Sequence, residues 1–203
     1  MPDENQAPER PVATPRPIEL TLPRPDGDKK IQLRFPTDAE WIRRQKTRRV
    51  IQQSFGRGQS ETDVLGAEES DEALVKAVIP ADFELEPGEA TMIAAMLGVV
   101  FITEVRRDGA PFRVTIQTVG GEQSSYTVKV PSALQAKNYR QKFSRPIDLP
   151  HGKTEFKVNI EAGGELFDAL CDQKALPIIY KSAIAAAVVS ELERLMEPST
   201  EGL

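Results

Sequence analysis

The sequence predicts an α+β fold of two similar units, each a hairpin followed by three helices, with small antiparallel sheets packed on the helices. Three observations predict it. The stretch Ile31 to Lys46 (IQLRFPTDAEWIRRQK) and the stretch Tyr126 to Lys142 (YTVKVPSALQAKNYRQK) share one grammar: an alternating strand, a proline corner, a hydroxyl residue and a helix with a basic end. Each is preceded by another alternating segment, Ile18 to Leu22 in the first case and Phe112 to Thr118 in the second. Each is followed by an acidic amphipathic segment and then an alanine-rich apolar one. Pro36 matches Pro131, Leu74 matches Phe167 and Ile93 matches Ile184 in this order. Five elements recurring in one order read as an internal duplication, although few residues are identical. The expected division is a Pro-rich tail over 1–17, a first unit over 18–106 and a second over 107–203, with one shared core or two left open.

Along the chain, the first 17 residues carry five prolines with charges between them and almost no apolar side chains. Such a segment cannot offset its ordering entropy and is expected to be disordered. Ile18 to Leu22 and the strand from Ile31 form the first hairpin, joined through a loop holding Asp26-Gly27; the second hairpin turns at Gly120-Gly121. Thr37 is a good N-cap, and Glu40 three residues on completes a capping box. The helix is expected to run from Asp38 to about Gln53, broken by Phe55-Gly56-Arg57-Gly58. Ala39, Ile42 and Val50 should face inward, with Lys46 snorkelling from that face and Trp41, Arg44 and Arg48 on another. Gln59 to Ala67 reads as a polar loop. Glu69 to Ile79 (ESDEALVKAVI) is a helix stopped by Pro80, Ala90 to Gly98 an apolar helix, and Val99 to Val105 a strand before the turn at Arg106 to Gly109.

In the second unit, Ser132 is the expected N-cap of a helix whose Ala133, Ala136 and either Tyr139 or Arg140 track one face. Arg145-Pro146 and Leu149-Pro150 enforce extended chain. Thr154 to Ile160 alternates as a strand and Gly164 to Leu170 is a helix. Pro177 to Met196 is a long helix, apolar nearly all round between Ala183 and Val189, which places it in a core or a subunit interface.

Composition narrows the function classes. A formal charge of −5 suits a soluble chain and does not suggest a general nucleic-acid binder. The single Cys171 excludes an internal disulfide and a cysteine-based structural zinc site, and reads as a small half-buried hydrophobe. The N-terminus lacks the apolar region of a secretory signal and no apolar run reaches membrane-spanning length, so a cytoplasmic protein is expected. The single His151 lies in a loop, PHGKTE, with nothing in sequence to place a nucleophile and an orienting carboxylate beside it. FGRGQS (Phe55 to Ser60) lacks the Gly-Lys-Ser/Thr ending of a phosphate loop and follows a helix, so it reads as a helix end. No catalytic, cofactor or metal residues are expected.

The sharpest charge feature is Arg43, Arg44, Lys46, Arg48 and Arg49 with Trp41, of which Trp41, Arg43, Arg44, Arg48 and Arg49 are the candidate partner-binding residues. It suggests a surface for a protein partner or, as the alternative, a nucleic-acid site with Trp41 available for stacking. The segment 61–89 carries ten acidic residues and one lysine, so the basic helix can also be neutralised within the fold. The residues IQLRFPTDAEW and YTVKVPSALQAKNYRQK resemble the opening of phage tail assembly chaperones, small cytoplasmic proteins that pass from a short sheet segment through a Pro-Thr or Pro-Ser corner into helices. That resemblance implies transient binding to a tape-measure protein, or multimerisation around it. The expectation from sequence is thus a non-enzymatic assembly or interaction protein, with protein partners or self-association and no membrane or small-molecule substrate.

Overall fold

Both proline corners turn the chain into a capped helix. In the computed structural model, which describes residues 17–56, 59–107, 111–118, 121–173 and 175–196, Thr37 and Ser132 each accept from the backbone N–H three residues on. The side chains of Glu40 and Gln135 reach back to the cap N–H groups at 2.8 and 2.9 Å, closing two capping boxes. Before the first corner lies the hairpin β1 (Ile18–Leu22) and β2 (Lys29–Leu33), and after it α1 (Asp38–Thr47). The N-terminal segment 1–16, Arg57-Gly58, most of the turn after Arg107, and Gly120 lie outside the described residues.

The helix after the first corner is shorter than the sequence predicts. It stops at Thr47, and β3 (Arg49–Gly56) and β4 (Gln59–Leu65) form an antiparallel hairpin where a helix end and a polar loop were expected. The helix-forming Arg and Gln residues continue past Thr47, but β-branched Thr47, Val50 and Ile51 weaken the helix there, and pairing with a distant strand supplies the alternative. The predicted inward face of α1 is also corrected: Ala39 is exposed and Trp41, 1% exposed, is the buried anchor. Thereafter come α2 (Ala67–Val78), α3 (Glu89–Gly98) and β5 (Phe101–Arg107).

The second half repeats the order. Strands β6 (Phe112–Gln117) and β7 (Gln123–Val128) form a hairpin, α4 (Ala133–Phe143) follows the corner, β8 (Ser144–Leu149) and β9 (Lys153–Val158) form another hairpin, and α5 (Ile160–Leu170) and α6 (Ile178–Met196) close the chain. The predicted hairpin–helix–helix–helix unit therefore contains an additional hairpin after its first helix. Helix α5 begins one turn earlier than expected because Asn159 caps it, its Oδ1 accepting from Glu161 N. A matched long-range bond locks both units: Arg34 N, just after β2, donates to Val78 O at the end of α2, and Lys129 N, just after β7, donates to Leu170 O at the end of α5.

Three antiparallel sheets result: β1-β2, β5-β6-β7 and β4-β3-β9-β8. Three of the outer strands carry devices that discourage further pairing: β1 lies between Pro17 and Pro23, β5 shifts register at Ile102/Glu104, and β8 contains Pro146. The apolar residues form two cores. One gathers Leu22, Leu33, Trp41, Val75, Ile93 and Leu97 from the first half; the other gathers Phe112, Ile116, Phe167, Ile184 and Val188 from the second. They are not independent: Ile160 and Ile178 enter the first core, and Phe35 and Ile179 touch both. Asp38 Oδ1 accepts from Ile178 N at 2.7 Å, pinning the start of α6 to the start of α1. The long helix α6 is core material, with Ile184, Ala185, Val188 and Val189 all at 3% exposure or less. Strand β5, expected in the first unit, lies in the second unit's sheet, and the four-stranded sheet takes two strands from each half.

Candidate functional site

The five residues singled out in sequence separate in the fold. The Trp41 ring is buried against Phe35 (centroids 6.3 Å apart) and the Arg44 guanidinium (5.5 Å), and is not on the surface for stacking. Arg44 turns the other way from solvent: its Nε donates to Asp71 Oδ1 at 2.7 Å, and side chain exposures of 12% and 3% make this a buried pair. Burial lowers the Arg44 pKa and the Asp71 hydrogen bond opposes that shift. Arg48 adds a longer contact to Asp71 at 3.5 Å. Asp71 belongs to the acidic segment, so part of the basic helix is indeed neutralised from within. Arg43 is exposed and makes no ion pair among the described residues. Arg49 reaches across the sheet to Glu155, with Nε and Nη2 donating to the two carboxylate oxygens at 2.9 Å each. This fork lowers the Glu155 pKa and raises that of Arg49.

What the structure does bring together is a cleft of about 600 Å³ between the two units. Its walls are the C-terminal ends of α1 and α4, the adjoining ends of β3, β8 and β9, and the start of α5. Six cations line it, Lys46, Arg48, Arg49, Lys142, Arg145 and Lys157, against two carboxylates, Glu155 and Glu161, a formal balance of +4. Ile42, Val158 and Ile160 contribute an apolar floor, and Gln45, Gln141 and Asn159 contribute amides. No aromatic side chain lines it.

Two features make the charge of this cleft available. Arg145 on β8 and Lys157 on β9 are directly opposed across the ladder, and neither makes a salt bridge among the described residues. Like charges at opposed positions destabilise a sheet, so the pair costs stability in the free protein that a bound anion would return. Lys46 and Lys142, at matched helix ends, pair only with exposed carboxylates, Glu161 at 3.4 Å and Glu165 at 3.1 Å. Such surface pairs are worth about 0–1 kcal/mol and exchange readily. Glu155, by contrast, is held by the Arg49 fork and is 4% exposed.

Sequence reasoning found half of this surface. Lys46, Arg48 and Arg49 line the cleft, whereas Lys142, Arg145 and Lys157 were missed. Their signal was present: the helix after each proline corner ends in a basic run, and Lys157 stands in an alternating strand. What was lacking was the pairing of β3 with β9, which joins the two runs. His151 is exposed in a short turn with φ 64°, and Cys171 is buried. Among the described residues there is no group of three or more His, Cys, Asp or Glu placed to hold a metal, and no helix long and apolar enough to cross a membrane. In comparisons with known proteins, no family model, curated protein or solved structure matches the chain.

Proposed function

We propose that the chain is a non-enzymatic interaction protein that captures an acidic, partly apolar protein segment in the cleft between its two units. The observation that carries this reading is the composition of the cleft: a cationic rim with formal balance +4 on a floor of Ile42, Val158 and Ile160. Carboxylates on a partner would meet Arg145 and Lys157, and its apolar side chains would meet the floor. Such capture is what the resemblance to phage tail assembly chaperones implies, with a tape-measure protein, or copies gathered around it, as the partner. On this reading the chain arose by internal duplication, and the cleft gives that duplication a purpose. The capping boxes at Thr37 and Ser132 and the matched bonds Arg34 N to Val78 O and Lys129 N to Leu170 O support two copies of one ancestral unit. Their basic helix ends converge on one partner.

The test is fluorescence titration of a labelled peptide alternating Glu and Leu against the wild-type protein and Arg145→Glu/Lys157→Glu. Binding that weakens about tenfold or more in the variant, and weakens with added salt, is the expected result. Equal binding by both proteins would sink the reading. A second reading, nucleic-acid binding, rests on the same cations. The buried Trp41 and the absence of aromatics from the cleft lining leave only phosphate contacts for it. A labelled single-stranded oligonucleotide titrated in parallel separates the two: tighter binding than the peptide, with a steep salt slope, would put nucleic acid first.

A further inference from the structure

The sheet β4-β3-β9-β8 has two faces of opposite character. Its register places alternate residues together, and on the face bearing the cleft seven of twelve positions are charged, among them Arg49, Glu155 and Lys157. On the other face the row Val64–Val50–Phe156–Pro146 crosses all four strands in register, and one of eleven positions, Asp148, is charged, Val158 at the end of β9 turning to the cleft and the first core instead. In a chain with 28% charged residues this neutrality is a pattern. None of the four side chains in that row packs into either apolar core, and Val64 is 40% exposed.

We propose that this face is an isologous interface between two copies of the chain, packed sheet on sheet about a two-fold axis. Copies carrying −5 each repel on most surfaces, and this face lets them approach with almost no charge to desolvate. A two-fold axis sets the apolar row against its own copy, and Asp148, on the outer strand β8, stays at the rim. Sheets pack in this way at about 10 Å separation. Four strands about 4.8 Å apart, with up to three residues of each on the face, give a flat footprint of roughly 400 Å². A stable interface takes about 800 Å² per partner, so this dimer is weak and forms at high concentration. The interface lies opposite the cleft and does not depend on the function proposed for it.

The experiment is sedimentation velocity on the full chain from about 5 μM to about 500 μM, at low salt and in about 0.5 M NaCl, where surface charge is largely screened. Three proteins are compared: wild type, Thr62→Lys/Val64→Lys, and Arg145→Glu/Lys157→Glu. Thr62 and Val64 are exposed, so the first variant keeps its fold, which circular dichroism and thermal unfolding verify. The expected result is a concentration-dependent dimer in wild type and in the cleft variant, persisting in salt, with Thr62→Lys/Val64→Lys monomeric throughout. Three results each overturn the proposal: a wild-type monomer across the range, a dimer unaffected by Thr62→Lys/Val64→Lys, or a dimer abolished by salt or by the cleft variant alone.

Discussion

Asp71 shows how much a single side chain holds. It is 2% exposed and receives Arg44 at 2.7 Å and Arg48 at 3.5 Å, so removing it leaves a buried guanidinium without its counter-charge. Asp71→Ala should cost about 3–5 kcal/mol in urea denaturation, well above an ordinary surface change. Tyr139 makes the opposite prediction. Its hydroxyl is buried without a hydrogen-bond partner among the described residues, and burial pushes its pKa up to about 12. Tyr139→Phe removes an unsatisfied group while keeping the ring stacked on Phe143, and should leave the melting temperature unchanged or raise it. Glu40 links residue chemistry to pH. The Arg34 hydrogen bond, with those from the Thr37 backbone and hydroxyl, lowers its pKa to about 2 from an ordinary 4.5. A carboxylate depressed in the fold stabilises it fully above its unfolded pKa, and that contribution is lost as pH falls from about 4.5 towards about 2. Glu40→Gln should therefore flatten the loss of stability over that window relative to wild type; parallel pH curves would exclude the linkage.

At the scale of elements, the closest approach is between α5 and α6. A Cβ on Gly163 would lie 2.5 Å from Ser182 Oγ and 2.6 Å from Ser182 Cα, so the helices touch through backbone that cannot yield like a side chain tip. Gly163→Ala should separate them and cost about 2 kcal/mol or more despite the better helix propensity of alanine. Thermal unfolding decides this, and a neutral or stabilising effect would show that α6 can slide. Elements whose signals are local were legible in sequence. The capping residues, the apolar helices and the alternating hairpin strands each carry their own pattern. Strands β3 and β4 were not legible, because the helical pattern begun at Asp38 carries on through Arg48, Arg49, Gln52 and Gln53, and QSETDVL reads as polar loop. Neither strand contributes a side chain to either apolar core, so the usual alternation of buried and polar residues is muted.

At the scale of the molecule, the two halves are tied by the β3–β9 pairing, by Asp38 on Ile178 N, and by the side chains shared between cores. The β3–β9 pairing lies beside the cleft, so cleft and fold should lose their integrity together. Peptide binding and the global unfolding transition are expected to vanish at the same denaturant concentration, and binding lost well before unfolding would mean that the halves part first.

The sequence by itself determined the α+β class, the positions of most helices, the first capping box and the second N-cap, Ser132, because each depends on residues within one turn or one hairpin of each other. It also held the two basic helix ends that line the cleft. Only the tertiary structure decided which of those charges remain available. Asp71 takes up Arg44, and Glu155 takes up Arg49, partners 27 and 106 residues away in the chain. Arg145 and Lys157 are left opposed to one another across β8 and β9. Charge neutralisation is a matter of distance in space, and a sequence records distance only along the chain.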